Sequence, residues 1–160
     1  MIAFKDMPSH SRIWIYQCDR ELTSSETDSI KRKAEEFVSQ WTSHDQLMKT
    51  CIEILHNLFL VVCVDEKTAP ASGCGIDKSV HFIEQLEKDF KISLKDRMNV
   101  AYRVNGKILL SKLSELKTSL PNGQAESGVS VFNNLVQTKE ELEKSWEVPV
   151  EKSWHKQFID

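Results

Sequence analysis

No two cysteines in this sequence have CxxC spacing, since the four lie far apart at positions 18, 51, 63 and 74. Residues 1–8 have neither the basic start nor the apolar core of a signal peptide. Together these absences predict a cytosolic protein with reduced thiols. The longest apolar run, Leu58 to Val64, is far shorter than the ~20 residues that a membrane-spanning helix needs, so no membrane partner is predicted.

An excess of charge of one sign is missing as well. The formal net charge is −3 at pH 7, with acidic and basic residues mixed along the chain, which predicts no nucleic-acid partner. Internal repeats are absent, and the nearest approach to a linker is the polar loop Asn122 to Gly128. The 160 residues are therefore predicted to form one α+β domain. In it, residues 1–9 are flexible, and residues 138–160 form a helix and an aromatic tail that pack on the core.

The common motifs for phosphates and metals are also missing. No GxxxxGK[ST] loop occurs, and Gly73-Cys74-Gly75 lacks the third glycine of a GxGxxG fingerprint, because Lys78 occupies that position. No CxxC or HxxxH pair provides a usual zinc pattern. We therefore expect no metal and no cofactor.

The chain does contain a clear succession of strand and helix patterns. Runs of β-branched and aromatic residues predict strands at 12–16, 50–55, 58–65 and 98–104. The Asn105-Gly106 pair predicts a hairpin with a type I′ turn. Capping boxes that begin at Thr23 and Thr138 predict the starts of a first and a last helix, and apolar spacing predicts another helix over 76–90.

This order of elements favours an α+β fold with an antiparallel or mixed sheet. Strand, helix, strand, strand, helix and strand follow one another, which is the ferredoxin-like split βαβ order. In that arrangement two helices cover one face of the sheet. A further hairpin strand, a short strand at 129–132 and the last helix are predicted C-terminal additions.

The segment from Ser72 to His81 concentrates reactive side chains between a predicted strand and a predicted helix. Backbone N–H groups at a helix start lack partners and attract anions. Gly73 and Gly75 would let the backbone approach a ligand, while Ser72 adds a hydroxyl. Lys78 adds a positive charge. Our first hypothesis is a noncatalytic module that binds a small anionic ligand or a protein partner through this segment.

The same segment also supports a thiol-dependent enzyme as an alternative. Cys74 would be the nucleophile, because the helix dipole favours its thiolate, and Asp77 or His81 would act as base or orienting group. A metal site that uses Cys74 and His81 is disfavoured by their spacing. A purely structural interpretation is that the glycines supply positive φ angles and that Ser72 or Asp77 caps the helix.

Candidate residues also lie outside this segment. Arg20 and Arg97, each beside an aspartate, could hold a carboxylate or phosphate, or could pair with that neighbouring aspartate. His44 and Asp45 could form an acid–imidazole pair. The aromatic tail could cover the core or present a patch to a partner; its members are Trp146, Trp154, His155 and Phe158.

Several stretches together resemble a family of short uncharacterised bacterial proteins: Arg12 to Tyr16, Ser72 to Phe82, Asp96 to Tyr102, Val131 to Val136 and Ser145 to His155. Members of that family often carry the automatic label of ABC transporter ATPase, so the resemblance implies an ATP-related function as a third hypothesis. Val64-Asp65-Glu66 faintly resembles a Walker B motif. The loop and lysine that hold the β- and γ-phosphates have no counterpart, and the resemblance supplies no catalytic residues.

Overall fold

The structure is a computed structural model that describes residues 2–43, 45–121 and 128–160. His44 and nearly all of the predicted polar loop Asn122 to Gly128 lie outside the described residues. The helices within these ranges are α1 (Ser24–Gln40), α2 (Gly73–Phe90), α3 (Leu116–Ser119) and α4 (Lys139–Ser145). None of them has the length and apolar composition needed to cross a membrane.

Nine strands and four short 3₁₀ helices complete the described elements. The strands are β1 (Arg12–Gln17), β2 (Thr42–Ser43), β3 (Gln46–Leu47), β4 (Thr50–Leu55), β5 (Phe59–Val64), β6 (Asn99–Val104), β7 (Lys107–Lys112), β8 (Ser130–Phe132) and β9 (Glu147–Pro149). The 3₁₀ helices are Phe4–Asp6, Leu113–Glu115, Val150–Lys152 and Trp154–Phe158.

The first sheet is built around β5, which pairs antiparallel with β1 on one side and β4 on the other. β1 and β4 are therefore parallel, and the connection between them runs through α1, which is the predicted split βαβ unit. All residues of β5 are buried, because both faces of the strand are covered. α1 and α2 pack against each other, with the rings of Phe37 and Phe82 stacked at 4.5 Å.

The second sheet has the strand order β7-β6-β8-β9, with antiparallel neighbours throughout. It packs against the first sheet through Phe132, whose ring lies 5.0 Å from that of Phe59. Val100 and Val131 belong instead to a smaller apolar cluster that Val150 helps to close. The second sheet thus lies between two apolar clusters.

The α+β class is confirmed, and the structure differs from the ferredoxin-like order at its last strand. In that order β6 would lie beside β1, whereas here it pairs with β7 and β8. The turn residues Asn105 and Gly106 have φ angles of 50° and 79°, which confirms the type I′ turn. Such a short turn joins β6 to β7 at little entropic cost. The outer edge of β1 is met by the chain after β8, where the Ile13 N–H donates to the Gln137 carbonyl at 2.9 Å.

The two predicted capping boxes differ in completeness. At α1 the Thr23 hydroxyl accepts from the Glu26 N–H and the Glu26 carboxylate accepts from the Thr23 N–H, so this box is confirmed. At α4 the Thr138 hydroxyl accepts from the Glu141 N–H. The Glu141 carboxylate, however, accepts from the Gln137 N–H at 2.6 Å, one residue before the cap. The second box is therefore half formed.

Residues near both ends of the chain contact the core. Met7 is buried, and the Lys139 ammonium donates to the carbonyls of Lys5 and Met7. Trp146 and His155 are buried as well. The predicted flexibility of residues 1–9 concerns motion and stays a prediction.

Candidate functional site

α2 begins within the Ser72 to His81 segment, at Gly73. Ser72 is the N-cap, and its hydroxyl accepts from the Gly75 N–H at 3.2 Å. The expectation that the glycines supply positive φ is wrong, because Gly73 and Gly75 both lie within the helix. A Cβ added to Gly73 would meet nothing within 4 Å. Gly75 instead provides a buried carbonyl, which accepts from Trp41 Nε1 at 2.9 Å.

The helix brings the reactive residues of this segment onto one face. Cys74, Asp77, Lys78 and His81 follow one another at i, i+3, i+4 and i+7, and all four are exposed. His81 Nδ1 lies 2.8 Å from the backbone carbonyl oxygen of Asp77. Lys78 Nζ donates to the Thr42 hydroxyl at 3.4 Å. These residues share a solvent-facing surface, so their roles as ligand-binding or catalytic groups stay predictions.

A cavity of about 460 Å³ lies elsewhere, along β1. β1 forms one wall, and the others come from the chain before β6, the chain between β8 and α4, and the last 3₁₀ helix. The volume falls in the range of about 300–1,000 Å³ typical of small-molecule sites. The apolar and aromatic lining residues are Ile13, Trp14, Ile15, Tyr16, Leu94, Phe132, Leu135, Val136 and Trp154. The polar lining residues are Arg12, Gln17, Asp96, Arg97, Asn99, Asn134, Gln137 and His155.

Three lining side chains have a buried N–H donor without a hydrogen-bond partner in the described parts of the chain: Gln17 Nε2, Asn99 Nδ2 and Trp154 Nε1. The acceptor ends of the two amides are occupied. Gln17 Oε1 accepts from Asn134 Nδ2 at 2.9 Å, and Asn99 Oδ1 accepts from Lys112 Nζ at 2.6 Å. Each buried donor left unpaired costs about 1–3 kcal/mol. These three atoms are fully buried, so a molecule in the open cavity reaches them only if the side chains of the wall move.

The two arginines noted in the sequence have different surroundings, and neither pairs with the aspartate beside it. Arg20 forms a bidentate ion pair with Glu26 at 2.9 and 2.8 Å, which lowers the pKa of Glu26 to about 2. Arg97 lines the cavity and has no ion pair within residues 2–43, 45–121 and 128–160. Its neighbour Asp96 pairs with Lys112 at 2.7 Å instead. Arg97 is therefore available to a ligand.

Burial shifts the pKa values of two groups in the cavity wall. It raises the pKa of the Tyr16 hydroxyl, and the nearby positive charges of Arg97 and Lys95 partly offset the rise. Burial also lowers the pKa of His155 to about 4, and its Nδ1 lies 2.6 Å from the Ser153 hydroxyl. His155 is consequently neutral at pH 7, and the arginines supply the positive charge of the cavity.

Acidification is expected to destabilise the protein through His155. Its pKa is about 4 in the folded state against an ordinary 6.5, so the unfolded chain binds more protons between these values. The stabilisation by the neutral imidazole is fully present above pH 6.5. It is lost as the pH falls from 6.5 through 4, by about 3 kcal/mol in total. Denaturant unfolding at pH 7.5 and pH 4.5 measures the change in the free energy of unfolding.

Matched histidine variants isolate this contribution. His155→Asn should lose this part of the pH dependence, since asparagine can still hydrogen-bond to Ser153 but does not titrate. His81→Asn makes the same exchange at an exposed position of α2 and should retain the pH dependence. If acidification lowers the free energy of unfolding of His155→Asn by as much as that of the wild type, the assignment to His155 is wrong.

The polar groups of the cavity come from parts of the chain that are distant in sequence and share no motif. Arg97 and Trp154 are candidates in the sequence, but no pattern links either to a pocket, and Gln17 and Asn99 are not among the candidates. The one signal in the sequence is Gln17 itself, a polar residue that follows four apolar or aromatic residues in β1. Among the described residues, no three His, Cys, Asp or Glu side chains are grouped so that they could hold a metal ion.

Comparisons with protein-family models, curated proteins and solved structures found no match to this chain. The family resemblance therefore stays a prediction. The function has to be inferred from the chemistry of the cavity and of the α2 surface.

Proposed function

We propose that this protein is a noncatalytic cytosolic module that binds a small anionic ligand in the cavity along β1. The proposal rests on one observation: aromatic walls and Arg97, which has no ion pair among the described residues, occur in the same cavity. The cation favours an anion, and the rings favour an apolar body. The described residues that line the cavity include no cysteine, serine or lysine, which supports binding rather than nucleophilic catalysis.

The other hypotheses drawn from the sequence have less support. The thiol-dependent enzyme depends on Cys74, which is exposed near the start of α2. The ATP-related function depends on Asp65, which is buried at the end of β5. Its carboxylate lies 3.0 Å from His10 and 3.5 Å from Lys49, and it accepts from the Lys67 N–H. These contacts explain Asp65 as a structural residue.

The four tryptophans allow a direct test of where ligands bind. Trp14 and Trp154 line the cavity, whereas Trp41 is buried against α2. We expect that a screen of carboxylic acids, nucleotides and sugar phosphates finds compounds that shift the indole N–H signals of Trp14 and Trp154. The signal of Trp41 should stay in place. Two-dimensional ¹H–¹⁵N spectra of the labelled protein measure these shifts.

Two arginine variants test the role of charge. Arg97→Gln removes the unpaired cation and should weaken binding of the anionic compounds. Arg32→Gln makes the same exchange on the exposed surface of α1 and should leave binding unchanged. Shifts confined to α2 around Cys74 and Lys78 would move the site to the Ser72 to His81 segment. An absence of any shift across the screen would contradict small-molecule binding altogether.

A further inference from the structure

The cavity combines one unpaired cation with a largely apolar wall. Arg97 lines it and has no ion pair among the described residues. The unpartnered N–H groups of Gln17, Asn99 and Trp154 are fully buried, so they have no surface open to a ligand. A ligand that pairs with Arg97 must present acceptors, such as carboxylate or carbonyl oxygens, since a guanidinium only donates.

The charges of the wall leave a single uncompensated cation. Arg12 pairs with Glu66 at 3.3 Å, and its guanidinium lies 4.5 Å from the Trp14 ring. Asp96 is neutralised by Lys112. Only Arg97 has no ion-pair partner among the charged lining residues that the structure describes. One such cation suits a ligand with one negative charge, whereas a phosphate monoester carries about −1.5 to −2 at pH 7.

The remaining surface of the cavity favours a flat apolar body. Trp14, Tyr16, Phe132 and Trp154 contribute four aromatic rings to the lining. Rings in a protein wall bind a planar ligand through stacked or edge-to-face contacts over a large area.

Building on the proposed function, we propose that the ligand class is the aromatic monocarboxylates, with the carboxylate paired to the Arg97 guanidinium. The ring lies against Tyr16 and Trp154. The planar fork of an arginine matches the geometry of a carboxylate, which distinguishes this class from other monoanions.

Three probes with the same ring system separate charge from shape: 2-naphthoate, the neutral 2-naphthamide and 2-naphthyl phosphate. Titration followed at the Trp154 indole signal gives the dissociation constant of each. We expect 2-naphthoate to bind at least about tenfold more tightly than 2-naphthamide, because a hydrogen bond to a charged group is the stronger kind. It should also bind more tightly than the phosphate. Arg97→Gln should weaken 2-naphthoate about tenfold and leave 2-naphthamide unchanged, whereas Arg32→Gln should affect neither.

The other outcomes separate failure of this inference from failure of the proposed function. If 2-naphthamide or the phosphate binds as tightly as 2-naphthoate, the monocarboxylate class is wrong, although the cavity remains a binding site. The same holds if no naphthyl compound shifts Trp154 while another compound of the screen does. If no compound in either experiment perturbs the cavity, both proposals are wrong.

Discussion

Replacing Trp146 with alanine is expected to lower the free energy of unfolding by about 3–5 kcal/mol. The indole is only 6% exposed, and its ring lies 4.8 Å from those of Phe59 and Phe132. These two rings belong to different sheets, so Trp146 fills the junction between them. Its Nε1 also donates to Asn134 Oδ1 at 2.9 Å. Neither sheet can close the resulting cavity without moving relative to the other. Denaturant unfolding followed by far-UV circular dichroism measures the loss.

Two further variants separate the contributions of Trp146. Trp146→Phe keeps an aromatic ring in the junction but removes the hydrogen bond to Asn134, and should cost about 1–2 kcal/mol. Phe158→Ala truncates an aromatic side chain that is 42% exposed, and should cost much less than Trp146→Ala. A loss below about 1 kcal/mol for Trp146→Ala, the size typical of an average substitution, would show that the ring does not hold the sheets together.

Replacing Lys139 with methionine is expected to cost about 2–4 kcal/mol, because two carbonyls of the N-terminal segment would lose their donor. Lys139 is only 5% exposed. Its ammonium donates to the carbonyls of Lys5 and Met7 at 3.0 and 2.7 Å and lies 3.5 Å from the Glu143 carboxylate. Methionine retains the volume of the stem but offers no N–H group. Equilibrium unfolding gives the size of the effect.

The position of the lost contacts makes a second readout possible. Both carbonyls belong to the N-terminal segment, so amide hydrogen exchange should accelerate there more than in β5. Lys144→Met on the same helix removes only a surface ion pair with Glu140 and should leave both stability and exchange nearly unchanged. Equal effects of the two lysine variants would contradict a special role for Lys139.

Features that depend on a few neighbouring residues could be predicted from the sequence. The Thr23 capping box needs only hydrogen bonds between residues three apart, and the type I′ turn needs only positive φ at Asn105 and Gly106. Both are local, so the rest of the fold has little influence on them. The α+β class follows from the same kind of information, because hydrophobic periodicity marks each element separately.

The position of β6 could not be predicted in this way. In the predicted order it should have paired beside β1, but β7 and β8 occupy both of its edges. A strand edge can pair with several edges that are distant in sequence, and the pairing that forms depends on loop lengths and on the surface buried elsewhere. Here the hairpin turn at Asn105 favours pairing of β6 with β7, the next strand in the chain.

The candidate sites show the same division between local and tertiary information. The sequence by itself determined the α+β class, a helix over 76–90 and the concentration of reactive residues near its start. Tertiary structure decided that this cluster faces solvent. It also decided that Tyr16, Arg97 and Trp154, which lie far apart in the chain, line one cavity. The physical reason is that only the packed chain determines which distant side chains lie together and which polar groups keep a partner.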